Sequence, residues 1–339
     1  MRSSWFAGIL MLGCFAGCLV GLGAAAQPDG GTAADQATPT PFELLKADQR
    51  IMHAADGAEF RVVVIAPAGP APAKGYPVLY VMDGNNWAVM AAEIVRTNTL
   101  FSLISQTEPA VVVGIDYPGS KPDMLRRTYD LTPPTPEGAV ERRPGERYGG
   151  DVALMEFMDK TVKPYVASRF PIDGQRQTLV GHSLGGLFVL RNLFTRPASY
   201  QTYVALSPSI WWGKRLMLAD AKRFERMKDR PKDLRVFMSV GELEQSGDKQ
   251  YAALKRQGIE AMYKAHPEAF PGETLEAALE SMERIVKEAR MVDNARELAA
   301  QLRQHGISTE LQVFAGEDHK SVLPVALGRA VPYALRATP

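Results

Sequence analysis

Residues Val180–Gly186 read VGHSLGG, a serine with glycines two positions to either side. That spacing suits a nucleophile elbow, in which a tight turn presents a serine hydroxyl for attack on a carbonyl carbon. In a chain with 29 glycines the pattern alone is weak, so the residues that would serve Ser183 have to decide. A serine hydroxyl needs a base, and the base needs a carboxylate to orient it.

Five histidines are available. His53 lies in an early strand-like segment, His266 precedes a proline, and His305 sits beside a helix stop, where a cation suits the dipole. His182 adjoins Ser183, but its side chain leaves the turn in another direction. Its expected place is in the packing at the substrate's edge. His319, in VFAGEDHKSV, follows the last β-rich run and completes the chain order serine, acid, histidine. The acid is expected after LRVFMSV, in GELEQSGD, where Glu244 lies past the strand tip. Glu242 and Asp248 are rivals, Asp318 reads as an exposed loop charge, and a Ser–His dyad with a dispensable carboxylate stays open. Two N–H donors must stabilise the oxyanion. One is expected from Leu184, after the serine, and the other from Asn85 in DGNNW, where Gly84 lets the backbone turn toward the site.

Elements must carry these residues to one place. FRVVVIAP, YPVLYVMDG, AVVVGIDYP, QTLVGHS, YVALSPS, LRVFMSVGE and TELQVFAGE are β-rich runs ended by Gly, Pro, Asp or Ser. Several are apolar almost throughout, as strands buried on both faces of a parallel sheet must be. Helical periodicity fills the gaps: Val292, Ala295, Leu298, Ala299 and Leu302 share one face, with Gly306 as stop. Leu275, Leu279, Met282 and Val286 form a second stripe. Alternating strands and helices predict an α/β fold, with a central, mainly parallel sheet and helices on both faces. Ser183 falls where QTLV turns into LGGLFVLRNLF, the strand–turn–helix context the elbow requires.

The chain begins with Arg2, an apolar run and the small residues AAA before Gln27, the order of a secretory signal. Residues 1–26 are read as that signal, 27–41 as a disordered tether, and 42–339 as one catalytic domain. Localisation is then periplasmic or secreted. Both cysteines, Cys14 and Cys18, lie in the signal, and FAGC leaves a lipid anchor at Cys18 as a minority reading. Cleavage after Ala26 would remove every thiol, excluding cysteine nucleophiles and cysteine-bound metals. A formal charge of +1 gives no argument for nucleic acid, and no basic stop-transfer cluster marks a membrane span.

YPVLYVMDGNNW, VGHSLGG, SPSIWW, GELEQ and VFAGEDHKSV, in that order, resemble the putative-esterase family of α/β-hydrolases. That family includes enterobactin and bacillibactin esterases, S-formylglutathione hydrolases, feruloyl esterases and the antigen 85 mycolyltransferases. RRTYDLTP and SPSIWW look most like the ferri-siderophore esterase branch. The resemblance implies an α/β-hydrolase fold and places the family's roles on Ser183, His319 and Glu244, with Asn85 and Leu184 at the oxyanion positions. A helical insert before the last strand, from about Gly258 to Arg290, departs from the simplest members.

Arg126, Arg127, Arg142, Arg143 and Arg147 accompany Tyr129 and Tyr148 on a connection that leaves the sheet at the active edge. Arg126 and Arg127 could bind an anionic aromatic ligand such as a catecholate. Alternatively these arginines pair with Asp123, Asp130, Glu141 and Glu146. Trp211 and Trp212 either wall the acyl pocket or pack in the core. The expectation is an exported serine esterase acting through an acyl-enzyme without metal or organic cofactor, its partner a small-molecule ester such as a ferric catecholate siderophore. A feruloyl or acetyl esterase is the enzymatic alternative, and a non-catalytic binder the other. S-formylglutathione is cytosolic and therefore disfavoured.

Overall fold

A computed structural model describes residues 45–67, 69–119, 123–135, 138–140, 145–227, 229–245, 249–265 and 274–336. The segments read as signal and tether, with Cys14 and Cys18, lie outside the described residues, as do Arg142, Arg143, Glu141, Asp248 and His266.

The chain opens with β1 (Ala47–His53), β2 (Glu59–Ile65) and β3 (Tyr76–Met82), followed by α1 (Gly84–Leu100), the short α2 (Ser102–Ser105) and β4 (Val111–Asp116). Then come α3 (Met124–Leu131), α4 (Asp151–Phe157), one π-helical turn (Met158–Val162), α5 (Lys163–Arg169), β5 (Ile172–His182) and α6 (Leu184–Thr195). The chain continues through β6 (Thr202–Leu206), α7 (Trp212–Glu225), β7 (Arg235–Gly241) and a single 3₁₀ turn (Glu242–Glu244). It ends with α8 (Lys249–Ala265), α9 (Leu275–Ala289), α10 (Met291–Gln304), β8 (Ser308–Phe314) and α11 (Val322–Leu335).

The eight strands form one sheet in the order β1-β2-β4-β3-β5-β6-β7-β8. β2 pairs antiparallel with both β1 and β4, and every pairing from β4 to β8 is parallel. The expected mainly parallel α/β sheet is therefore what forms. All seven residues of β3 and all six of β4 are buried, which explains their unbroken apolar sequences. On one face α1 and α11 bury Ala88, Ala91, Val95, Leu323, Leu327 and Val331. On the other, α3 to α7 and α10 bury Leu131, Leu154, Val166, Phe188, Phe224 and Leu298. The α10 stripe of Val292, Ala295, Leu298, Ala299 and Leu302 is buried as its spacing predicts.

Two differences from the sequence reading have simple causes. β1 (ADQRIMH) is an edge strand whose residues are nearly all exposed, so it carries no apolar run. The insert is a pair of helices, α8 and α9, and starts earlier than Gly258, because the α8 pattern already begins at Lys249. Among the described residues, no helix is long and apolar enough to cross a membrane.

Candidate active site

A parallel sheet with crossover helices gathers every strand's C-terminal end on one edge, where the connecting turns can meet. β5 delivers Ser183 to that edge in a backbone conformation few residues tolerate, φ 60° and ψ −118°. Such a geometry costs about 1–3 kcal/mol and persists only where its surroundings enforce it. Here the surroundings are glycine-sized. A Cβ on Gly181 would lie 2.3 Å from the Gly185 carbonyl oxygen, and one on Gly186 would lie 2.9 Å from Pro208 Cα. The Ser183 amide donates to Leu206 O at 3.0 Å, and its carbonyl accepts from Ser209 N at 3.1 Å, which ties the turn to the end of β6.

The three residues expected to act together do meet. Ser183 Oγ lies 3.0 Å from His319 Nε2, and His319 Nδ1 lies 2.6 Å from Glu244 Oε2. Glu244 is buried on the 3₁₀ turn after β7, where its other oxygen accepts from Ser207 Oγ and from the Gly241 amide, both at 2.6 Å. Burial alone would raise its pKa. The hydrogen bonds from His319, Ser207 and Gly241 outweigh that and hold it below the ordinary glutamate value. Glu242, the sequence rival, instead accepts the Gly316 amide with Oε2 at 3.1 Å, in the turn after β8. Asp318 is not the bare loop charge expected. It pairs with Lys255 of α8 at 2.9 Å and caps the turn into α11 through the amides of Lys320 and Ser321.

His182 sits against the same loop. Its Nε2 lies 2.8 Å from the His319 carbonyl oxygen, and the two imidazoles are 4.6 Å apart between centroids. Burial, and then the neighbouring His319, push its pKa down to about 3, so His182 is a neutral donor through Nε2. Its side chain is occupied in packing and in holding the His319 backbone.

At the other turn the structure corrects one expectation and redirects another. The Asn85 amide is not free for an oxyanion, because it donates to Asp116 Oδ2 at 2.9 Å. Asn85 is the second residue of α1, where an amide needs a cap. Asp83, at the N-cap position, makes no side-chain cap bond, and Asp116 from β4 supplies it instead. Among the described residues no acceptor meets the amides of Gly84 or Leu184, which open α1 and α6.

Arg126 and Arg127 are not free cations awaiting an anion. Arg127 is inserted between turns, with Nε 2.6 Å from Asp83 Oδ1 and one terminal nitrogen 2.8 Å from Asp83 Oδ2. Arg126 Nε donates to Asp130 Oδ2 at 2.6 Å, and its guanidinium lies over Phe60 and Tyr117. The pairing alternative therefore describes Arg126, and Arg127 has found a carboxylate 44 residues away. Arg147 stacks on Tyr129 at 4.5 Å. Trp212 is core, buried, with Nε1 donating to Thr135 Oγ1 at 2.9 Å. Trp211 is half-buried against it, 5.8 Å between rings.

Sequence reasoning missed Ser207, Asp83 and Asp116. Ser207 has φ 41°, a left-handed value that aims its hydroxyl at Glu244, and no residue type announces that. Asp83, immediately before the glycine of DGNNW, was a readable signal.

The chain is similar to known proteins over most of its length. A family model described as Putative esterase matches residues 54–330. The ferri-bacillibactin esterase BesA of Bacillus subtilis is 33% identical over 307 residues, covering 88% of this chain and 92% of that protein. The siderophore triacetylfusarinine C esterase of Aspergillus fumigatus is likewise 33% identical, over 86% of this chain and 94% of its own length. The solved structure of the siderophore hydrolase EstB from Aspergillus nidulans superposes with a TM-score of 0.70 at 30% identity, covering 89% of this chain and 99% of that one. A match across the sheet, both turns and the histidine loop makes this chain a member of the Putative esterase family, and a hydrolase.

Proposed function

We propose that this protein is an exported serine esterase that cleaves siderophore-type esters through an acyl-enzyme on Ser183. One observation carries the reading: an unbroken hydrogen-bonded line from Ser183 Oγ through His319 to a buried Glu244, at 3.0 and 2.6 Å. As Oγ attacks the ester carbonyl carbon, its proton passes to His319 Nε2. Glu244 accepts from Nδ1–H and stabilises the imidazolium that forms. The alkoxide leaving group then takes that proton as the tetrahedral intermediate collapses, freeing the alcohol. Water, deprotonated by His319, attacks the acyl carbon; the bond from that carbon to Ser183 Oγ then breaks, Oγ takes the proton back from His319, and the acid is released. The unengaged Leu184 amide is one oxyanion donor. The second is the Gly84 amide of the Asp83–Asn85 turn, which is likewise unengaged, whereas the Asn85 amide is held by Asp116. Both β-turns are therefore parts of one electrostatic site.

The substrate class follows from the relatives, which are named as esterases of ferri-bacillibactin and triacetylfusarinine C. Export is proposed from the order of Arg2, apolar run and AAA before Gln27. The test is turnover of a ferric trilactone beside feruloyl and short p-nitrophenyl esters, with fluorophosphonate labelling of Ser183. A labelled enzyme that ignores the trilactone but cleaves feruloyl esters would overturn the substrate assignment, and absence of any adduct would overturn the mechanism. N-terminal sequencing of the mature protein should begin at Gln27.

A further inference from the structure

The two turns proposed to hold the oxyanion are fastened to each other by one side chain. Asp83 follows β3 in a left-handed conformation, φ 55° and ψ 44°. An aspartate at that position ordinarily turns its carboxylate back onto the helix amides. This one faces the other way. Both its oxygens are taken by Arg127 of α3, at 2.6 and 2.8 Å, in a buried two-point pairing. Asp83 Oδ2 also lies 3.4 Å from where a Cβ on Gly185 would sit, so the carboxylate abuts the elbow. Beyond Asp83, the same terminal nitrogen of Arg127 reaches the carbonyl oxygen of His182, the residue before Ser183, at 3.4 Å.

Arg127 thus bridges a third element to both turns at once. Burial opposes its charge, but the hydrogen bonds and charge of Asp83 more than offset this and leave its pKa above the usual arginine value. A planar fork holds two oxygens at fixed angles, which a point-like ammonium cannot do. We infer that Arg127 is a positioning residue for ester hydrolysis: by clamping Asp83 and the His182 carbonyl it sets the separation of the β3–α1 and β5–α6 turns, and with it the oxyanion hole.

This inference rests on the serine-esterase reading, and its test separates the two. Hydrolysis of a short neutral p-nitrophenyl ester is measured for the wild type, Arg127→Ala, Arg127→Lys, Asp83→Asn and Ser183→Ala, with melting curves confirming that each is folded. Misplacing one oxyanion donor should lower kcat of Arg127→Ala about 10²-fold with KM within about threefold, since a neutral ester has no use for the charge itself. Arg127→Lys keeps the charge but not the fork, and should still lose about tenfold in kcat. Methylguanidinium should restore activity to Arg127→Ala and not to Asp83→Asn, where the guanidinium has lost its partner. A folded Arg127→Ala with wild-type kcat overturns the clamp, as does a deficit confined to KM. If Arg127→Ala does not fold, Arg127→Lys decides: wild-type kcat there overturns the clamp equally. Turnover by Ser183→Ala would sink the underlying reading, whereas a dead Ser183→Ala beside fully active Arg127 variants removes the clamp alone.

Discussion

Glu244 and Asp83 are both buried carboxylates, placed just past the ends of β7 and β3 on the same edge of the sheet. Their partners differ in kind. Glu244 is held by a hydroxyl, a backbone amide and an imidazole, none of which carries a permanent charge. Asp83 is matched to a guanidinium, which stays protonated at any working pH. The first arrangement suits a carboxylate that must answer a positive charge appearing and vanishing during each turnover. The second suits one whose task is to keep a backbone turn where it is. A full cation beside Glu244 would stabilise the resting carboxylate and weaken its response to imidazolium. A neutral partner for Asp83 would leave a buried charge uncompensated.

The sharpest way to break this comparison is to remove the group the Glu244 corner serves. Ser183→Ala should lower kcat by at least about three orders of magnitude with unchanged circular dichroism. Near-wild-type turnover in that variant would leave neither corner with a catalytic purpose. Next in size, Glu244→Gln keeps the shape and removes the charge that meets the imidazolium, for an expected loss of about 10²–10³ in kcat. Glu242→Gln, which removes only a cap on the turn after β8, should stay within about threefold of wild type. Equal, mild effects would mean a dyad, with Glu244 demoted to a structural acid.

His182 lies between the two corners, and its test concerns stability. Its folded pKa of about 3 is below the value of about 6.5 for an exposed histidine. Between those values the unfolded chain binds a proton that the folded chain refuses, so wild-type stability falls as pH drops through that window. Of the groups facing His182, His319 and Arg127 oppose a proton together with burial, and Glu244 favours one. His182→Gln retains a donor for the His319 carbonyl and cannot titrate. It should therefore lose stability less steeply on acidification, by about 1 kcal/mol per pH unit around pH 5–6, measured as chemical denaturation of both proteins. Parallel slopes would show that His182 is protonated in the folded state.

How much of this was legible in the sequence follows from the same contrast. Ser183, His319 and Glu244 each sit at the end of an apolar run, so strand pattern and local spacing placed them on one edge. The Asp83–Arg127 pair joins a strand end to a helix 44 residues later, and nothing local marks which carboxylate an arginine meets. The clustering of arginines in RRTYDLTP was visible, but the sign of a cluster does not tell whether its charges are already spent. Asn85 lies on the turn after β3, as the order of runs in the sequence requires. Which way its amide points depends on Asp116, a residue on another strand. β1 shows in the sequence only as the strand-like segment at His53, because an edge strand exposed on both faces has no apolar run to read.

The smallest expected effect on catalysis belongs to Arg126, the arginine beside the clamp. Its charge is matched by Asp130 one helical turn on, and its plane covers Phe60 and Tyr117. An anionic ester gains little from a guanidinium already hydrogen-bonded to a buried carboxylate, so Arg126→Ala should change KM for a ferric catecholate by less than about threefold. Its effect should appear in stability and depend on pH in a definite sense. Burial pushes the Asp130 pKa up to about 6 even with Arg126 attached. Without the arginine it rises further, and the ionised form is the one that suffers. Because the folded pKa lies above the unfolded value, the folded state binds more protons over that interval, and stability declines as pH rises through it. The Arg126→Ala deficit should therefore be small at pH 5, where Asp130 is protonated, and grow to about 1–3 kcal/mol at pH 8, where a buried carboxylate has lost its partner. Melting temperatures of both proteins at the two pH values measure this directly. A deficit equal at both would mean that Arg126 contributes through packing on Phe60 and Tyr117 rather than through its charge. A tenfold rise in KM for the catecholate that fades with added salt would return Arg126 to the substrate and make the two neighbouring arginines a recognition site and a clamp side by side.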